Sequence, residues 1–311
     1  MQKITPDNEI DFAVAMLMGG GLVAFPTETV YGLGANALSD AAVADIYALK
    51  ERPSFNPLIV HVSSIDTAKE YVRWNEAAQI LAEKFWPGSL AMVLPRAENC
   101  KLSLLVSAGM DSVAIRMPAH PLALALLEKS GLPLAAPSAN KSGRVSPTLA
   151  QHVQEEFGDD LTVLDGGACE VGIESTIVDL TTTPTTILRH GKIIREDLEK
   201  YIDIGEYNSD EIKASGMMKN HYSPNSTLRI NAEAVEEGEA LLAFGKPLVG
   251  ASTMENLSES ENLEEAAANL FRMLRLLDAK NPKAIAVMKI PNHGLGIAIN
   301  DRLQRAAAPK E

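Results

Sequence analysis

The chain has 311 residues, enough for about two domains at ~150 residues each. Its 46% hydrophobic and 22% charged content excludes a disordered or low-complexity scaffold. Its net charge of −13, mostly on residues 1–224, makes tight non-specific nucleic-acid binding a poor expectation but leaves local anion pockets open. No apolar run reaches the ~18 residues that cross a bilayer. Met1–Asp11 carries Asp7, Glu9 and Asp11, which does not suit a secretory signal, so a soluble cytoplasmic protein is expected. Cys100 and Cys169 form neither a disulfide framework nor a zinc-ligand pattern.

In chain order, Leu22–Phe25 reads as a buried strand and Ser39–Lys50 as a helix with apolar Val43, Ile46 and Tyr47 at helical spacing. Leu58–Val62 is a strand, Asn75–Phe85 a helix, Met92–Leu94 and Val113–Arg116 strands, and Pro121–Lys129 a helix. Pro147–Phe157 is expected to be a helix capped by Ser146, with proline at its first position. Thr162–Leu164, Thr176–Leu180 and Thr186–Leu188 are further strands, which together predict an α/β fold on a mixed sheet. Asp203–Asn220 is polar and unpatterned and reads as a linker. It runs into Met217-Met218-Lys219-Asn220-His221-Tyr222-Ser223-Pro224, which is too rich for a plain spacer. Thr227–Ile230, Leu248–Ala251 and Ala284–Lys289 are predicted strands, and Leu263–Leu277 and Ile297–Ala308 helices, of a small C-terminal α/β domain. The expected division is 1–202, a linker at 203–224, and 225–311.

Neither a GxxxxGK[ST] loop, a GxSxG elbow nor an HExxH helix occurs. Gly32-Leu33-Gly34-Ala35-Asn36-Ala37 fits a loose GxGxxA, but six residues separate it from the preceding strand, the wrong context for a dinucleotide site. Three loops carry chemistry-bearing residues. Phe25-Pro26-Thr27-Glu28-Thr29-Val30-Tyr31-Gly32-Leu33-Gly34 follows a strand as a glycine-bearing loop and is either a site or a hydroxyl-capped turn. Lys50-Glu51-Arg52 ends a helix, where two cations suit either phosphate oxygens or the helix dipole. Ala136-Pro137-Ser138-Ala139-Asn140-Lys141-Ser142-Gly143-Arg144 is a phosphate cradle or an ordinary loop. Arg116 ends an apolar strand and calls for a partner, while His61 in a similar place is a core histidine or a site residue.

Taken in order, PTETVYGLG, K-x-R followed by NPL and a histidine, FWPGSL, VAIRMP, APSANKSG, GIEST and LRHG resemble the YrdC-like threonylcarbamoyl-AMP synthase family. The tail resembles its long two-domain version, through Gly216-Met217, His221-Tyr222-Ser223-Pro224 and Gly294-Leu295-Gly296 with Arg302-Leu303. The resemblance implies a twisted sheet with a large concave cavity, plus a smaller α/β domain. It implies that L-threonine, bicarbonate and ATP, with magnesium on the phosphates, give L-threonylcarbamoyl-adenylate and pyrophosphate. The product would pass to a separate tRNA threonylcarbamoyl transferase, with at most weak tRNA binding here.

Carried over by motif, Lys50, Arg52, Ser138 and Asn140 are the implied catalytic cluster on the triphosphate. Asn56, Ser112, Ser146 and Arg189 are implied on the nucleotide side, and Tyr222 as part of a lid. Thr27, His61, Arg116 and Ser175 are implied at the threonine end, with Arg116 on the carboxylate. The chain departs from the family pattern at His190 and Ser215, where proline is usual, and in the linker core Met218-Lys219-Asn220. Two other readings compete. A hydrogenase-maturation carbamoyl transferase would need cysteine-rich zinc segments, and a non-catalytic RNA-binding module is opposed by the acidic charge.

Overall fold

The computed structural model describes residues 6–207, 213–218 and 221–309, so Lys219 and Asn220 lie outside the described residues. The chain opens with α1 (Pro6–Met18), β1 (Val23–Phe25), β2 (Gly32–Asn36), α2 (Asp40–Lys50), β3 (Ile59–His61) and α3 (Ile65–Tyr71). There follow α4 (Glu76–Phe85), β4 (Leu90–Pro95), β5 (Ser112–Arg116), α5 (Pro121–Ser130), β6 (Leu134–Ala135) and α6 (Ala150–Phe157). Next come β7 (Thr162–Val163), β8 (Thr176–Asp179), β9 (Thr185–Arg189), α7 (Arg195–Leu198) and β10 (Ile204–Gly205). The C-terminal part holds β11 (Thr227–Ala232), β12 (Glu239–Ala243), β13 (Met254–Asn256), α8 (Leu263–Asp278), β14 (Ala284–Met288) and α9 (Leu295–Ala306).

Several helices begin where a side chain satisfies a free backbone N–H. Ser39 Oγ accepts from the Ala42 N–H at 3.3 Å, and Asn75 Oδ1 from that of Ala78 at 2.8 Å. Four expectations need correction. Ser146 is no cap: its hydroxyl donates to Glu174, and α6 starts only at Ala150. Gly32–Asn36 is a strand, because its small residues let β2 lie under the Phe25 ring; a Cβ at Gly34 would sit 2.8 Å from that ring. Leu248–Ala251 is not a strand, since Pro247 and Gly250 break it and leave Val249 92% exposed; the wholly buried Glu239–Ala243 takes its place. Ile204–Gly205, expected in the linker, adds an edge strand beside β9.

Among the described residues two sheets form. The larger is mixed, in the order β10-β9-β8-β4-β5-β3-β6-β2-β1-β7, and the smaller, β11-β14-β12-β13, has only parallel pairings. Register decides what meets what. His61 lies opposite Arg116, Phe25 opposite Gly32, Ile177 opposite Arg189, and Gly32 bridges to Ser138. The strand-end residues of distant segments therefore share one end of the large sheet. One sheet face carries Ile59, Ala91, Val93, Ala114, Ile177 and Leu188, and the connector residues Ala214 and Met217 pack onto it. On the small sheet, α8 buries Leu270, Phe271, Leu274 and Leu277 into a cluster that also takes in Val30, Val145, Ile173 and Tyr222. The two units thus share a core. No helix among the described residues is long and apolar enough to cross a membrane.

Candidate functional site

At that shared end lies a small cavity. The β1–β2 turn lines it with Thr27 and Thr29, β3 with His61, β5 with Arg116, the loop after β6 with Ser138, and the segment just before β8 with Glu174 and Ser175. Arg189 from β9 and Ser215, His221 and Tyr222 from the connector complete the wall. The hydroxyl-capped turn is realised as well: Thr27 Oγ1 donates to the Val30 carbonyl at 2.7 Å and lies 2.7 Å from Thr29 Oγ1.

Arg116 is 4% exposed and ion-paired with Glu28; its Nη1 donates to Thr29 Oγ1 at 3.0 Å and its Nε to the Gly88 carbonyl at 3.0 Å. Three of five N–H groups are thus engaged, which leaves one on each Nη for a further acceptor. Burial alone would raise the Glu28 carboxyl, but the Arg116 cation and the Ala119 N–H outweigh it and hold it below its ordinary range.

The remaining expected residues do not line the cavity. Lys50 is fully buried and donates to the carbonyls of Ser138 and Asn140. Arg52 donates to the carbonyls of Asn56 and Pro57, and at 3.1 Å to Ser215 Oγ. Asn56 donates to Met218 Sδ at 3.1 Å, Asn140 to Lys141 and Arg144 carbonyls, and Ser146 to Glu174. Ser112 starts β5 and by strand alternation shares the face of Ala114 and Arg116, where Ala214 and Met217 cover the floor. For Arg52 and Asn56 the physical reason is the connector, which supplies Ser215 and Met218 as partners, while Lys50, Asn140 and Ser146 are held by groups of the catalytic unit itself. Gly216, with φ +87°, lets the connector pass, since a Cβ there would stand 2.9 Å from both Arg189 Cδ and the Tyr222 hydroxyl. Ser215, in place of a proline, supplies the hydroxyl that Arg52 reaches and a carbonyl for Arg189. Arg189 also binds the Ser175 carbonyl and hydroxyl, each at 3.0 Å, so its loop is anchored despite His190.

Among the described residues Lys50, Arg52 and Arg189 have no carboxylate partner. Burial first, and then neighbouring Arg52, pushes the Lys50 ammonium well below its ordinary value; burial brings Arg52 down to about 10. Five buried polar atoms here, Asn56 Oδ1, His61 Nδ1, Asn140 Oδ1, His221 Nδ1 and the Tyr222 hydroxyl, have no hydrogen-bond partner among the described residues. Orphans of this kind call for an explanation, and a polar ligand is the simplest. Glu28, Thr29, Glu174 and His221 belong to the site without standing out as site residues in the sequence. The available signal was an acid inside an otherwise apolar or hydroxyl-rich motif, which requires a buried partner.

His61 is pushed down to about 3 by burial and then by Arg116; His221 lies well below its ordinary value through burial, Arg52 and Lys50. Both stay neutral when folded, whereas the unfolded chain protonates near pH 6.5, so stability falls as pH drops below that value. His61 alone contributes a loss on the order of 2 kcal/mol at about pH 5. Urea midpoints are expected to fall between about pH 7 and pH 5, and less steeply for His61→Gln; equal slopes would refute the assignment.

Residues 15–191 match a family model described as telomere recombination, and residues 193–308 one described as threonylcarbamoyl-AMP synthase, C-terminal domain. A threonylcarbamoyl-AMP synthase of Pyrococcus abyssi is 40% identical, over 96% of this chain and 94% of its own length. That of Bacillus subtilis is also 40% identical, over 97% and 94%. The crystal structure of P. abyssi Sua5 complexed with L-threonine superposes with a TM-score of 0.88 at 38% identity, covering 98% of this chain and 96% of that one.

Proposed function

The chain belongs to the threonylcarbamoyl-AMP synthase family, and on that premise we propose that its cavity joins L-threonine, bicarbonate and ATP into threonylcarbamoyl-AMP and pyrophosphate. The observation that carries this reading is the set of buried cations without carboxylates, Lys50, Arg52 and Arg189, placed beside a cavity walled by Arg116, hydroxyls and a neutral histidine. Isolated buried charge is costly. An anionic ligand with several oxygens removes that cost.

The two unused N–H groups of Arg116 form a fork for the threonine carboxylate. The Thr27 and Thr29 hydroxyls and His61 surround the amino-acid end. The amine takes up carbon dioxide from bicarbonate, releasing water, and becomes a carbamate. A carbamate oxygen then attacks the α-phosphorus and the bond to pyrophosphate breaks. Nucleophile and target are both anionic, so positioning and charge neutralisation are the main tasks. Lys50, Arg52, Ser138 and Asn140 serve the triphosphate, exchanging their carbonyl and hydroxyl contacts for phosphate oxygens once the connector lifts. Asn56, Ser112, Ser146 and Arg189 then meet the nucleotide, and Tyr222 closes over a dry pocket that protects the carbamate.

Magnesium would enter on the triphosphate and supply charge neutralisation to the leaving pyrophosphate. The acids flanking the site, Glu28 and Glu174, are already paired with Arg116 and Arg302. The product is an activated anhydride that a tRNA-modifying transferase would consume, in the cytoplasm. The test is pyrophosphate release, expected only when L-threonine and bicarbonate are both present. Equal release with serine, or with no amino acid, would sink the reading.

A further inference from the structure

We infer that the C-terminal unit holds a second binding site: a crevice at the carboxyl ends of β11 and β14 that takes a free mononucleotide, its base edge on carboxamides and its phosphate at Lys289. The topology puts the crevice there. The small sheet has only parallel pairings, with β14 between β11 and β12. After β11 the chain leaves over one face, where Val235 joins Leu241, Ala243 and Ala286. After β14 it leaves over the other, where Ile299 and Leu303 of α9 join Ile285 and Val287. Where neighbouring parallel strands send their connections to opposite faces, the connections part and leave a ligand crevice beyond the strand ends. A cavity of about 160 Å³ lies at that point.

Local structure shapes the crevice on both sides. Ile230 pairs with Val287 but Ala232 with Met288, so Asn231 is an extra residue in β11, and it sits at φ +57°. A bulge of this kind re-aims a side chain and interrupts the ladder, here at the crevice wall. Opposite, Asn300 of α9 fastens the turn after β14 by donating from Nδ2 to the Ile290 carbonyl at 3.2 Å. The lining then selects the ligand. It presents four carboxamides, Asn231, Asn292, Asn300 and Gln304, and one cation, Lys289. No acid lines it among the described residues, although the chain carries a net charge of −13. With Nδ2 of Asn300 turned to the loop, no described residue donates to its Oδ1. Lys289 is exposed and has no carboxylate partner among the described residues. A carboxamide offers a donor and an acceptor side by side, the pattern that matches a nucleobase edge. Ile230 and Leu303 give the ring an aliphatic surface, and Lys289 gives phosphate oxygens a point charge. The volume is below the ~300 Å³ at which pockets begin to enclose larger ligands, so it encloses the base and leaves ribose and phosphate at the mouth.

Methyl NMR of the full chain, labelled at isoleucine and leucine methyls, tests this with AMP, GMP, CMP, UMP and inorganic phosphate as probes. Ile230, Ile290 and Leu303 report the crevice, while Ile59 and Ile177 report the sheet face of the catalytic unit. At least one mononucleotide is expected to shift the crevice methyls saturably, with Kd below about 1 mM, whether or not it also moves Ile59 and Ile177. Asn231→Gly suits the left-handed backbone and removes only the carboxamide. Combined with Lys289→Met it is expected to raise that Kd about tenfold or more, and Lys289→Met alone carries the test should the pair not fold. Crevice methyls unmoved by all four mononucleotides at about 10 mM overturn the inference. So do shifts matched by inorganic phosphate, which would reduce the site to a stray contact at Lys289, and shifts undiminished in the folded variant. The outcome is independent of the synthase reading, because the reporters lie in the C-terminal unit and no turnover is measured.

Discussion

Arg52→Ala and Lys50→Ala are each expected to lower threonine-dependent turnover by about 10³-fold while the protein stays folded. Both cations lie under the connector with only carbonyl and hydroxyl partners, so neither is explained by a structural ion pair. The phosphate oxygens of ATP are the partners they lack. Lys50 supplies a signature that a structural lysine would not. In the free protein its proton is weakly held, because burial and Arg52 both oppose the charge. Phosphate reverses that, so ATP binding is expected to take up a proton at a pH above the lowered Lys50 value. Calorimetry in buffers of different ionisation enthalpy reads this uptake, which should vanish in Lys50→Met. For the same reason Lys50 makes apoprotein stability rise with pH from its lowered value up to its ordinary 10.5, the unfolded chain holding the extra proton. Full activity in both alanine variants would remove the phosphate assignment.

Arg116→Ala is expected to cost about 3–5 kcal/mol of stability, because it strands the buried Glu28 carboxylate. It is also expected to raise the KM for threonine about a hundredfold, through loss of the charge-assisted fork. The two effects separate in the double variant with Glu28→Gln. Removing the stranded charge should restore most of the stability, as urea unfolding would show, yet leave threonine binding weak. Recovery of both would reduce Arg116 to a scaffold for the β1–β2 turn. The Glu28 carboxyl is held below its ordinary value by Arg116 and the Ala119 N–H against burial. Its contribution is therefore present above about pH 4.5 and lost as pH falls through the folded value.

Most elements of both units are legible as local pattern. Ser39 and Asn75 announce their helices, and the run from Leu263 to Leu277 places Leu270, Leu274 and Leu277 on one buried stripe. Local signals failed where a tertiary partner overrode them. Ser146 has the form of a cap, but Glu174 offers its hydroxyl a stronger acceptor. Gly32–Asn36 looks like a loop until Phe25 packs across it. Leu248–Ala251 has strand residues without the buried place that Glu239–Ala243 occupies.

For the site, the ordered motifs already named Thr27, His61, Arg116, Ser138, Ser175, Arg189 and Tyr222, and all of them line one cavity. Their convergence was not readable, because it depends on β3, β5, β8 and β9 lying in an order the chain does not follow. Nor were the charge partners. Arg116 finds Glu28 and Arg302 finds Glu174 across 88 and 128 positions of sequence, and pairing at such range is settled by which groups are buried together. Residue identity alone determined which chemistry the chain carries: hydroxyls, cations and a tyrosine in loops of small residues. Only the tertiary structure decided that the connector residues Ala214 and Met217 pack onto the sheet face. Burial forces each charge to take whatever counter-group the fold brings within reach.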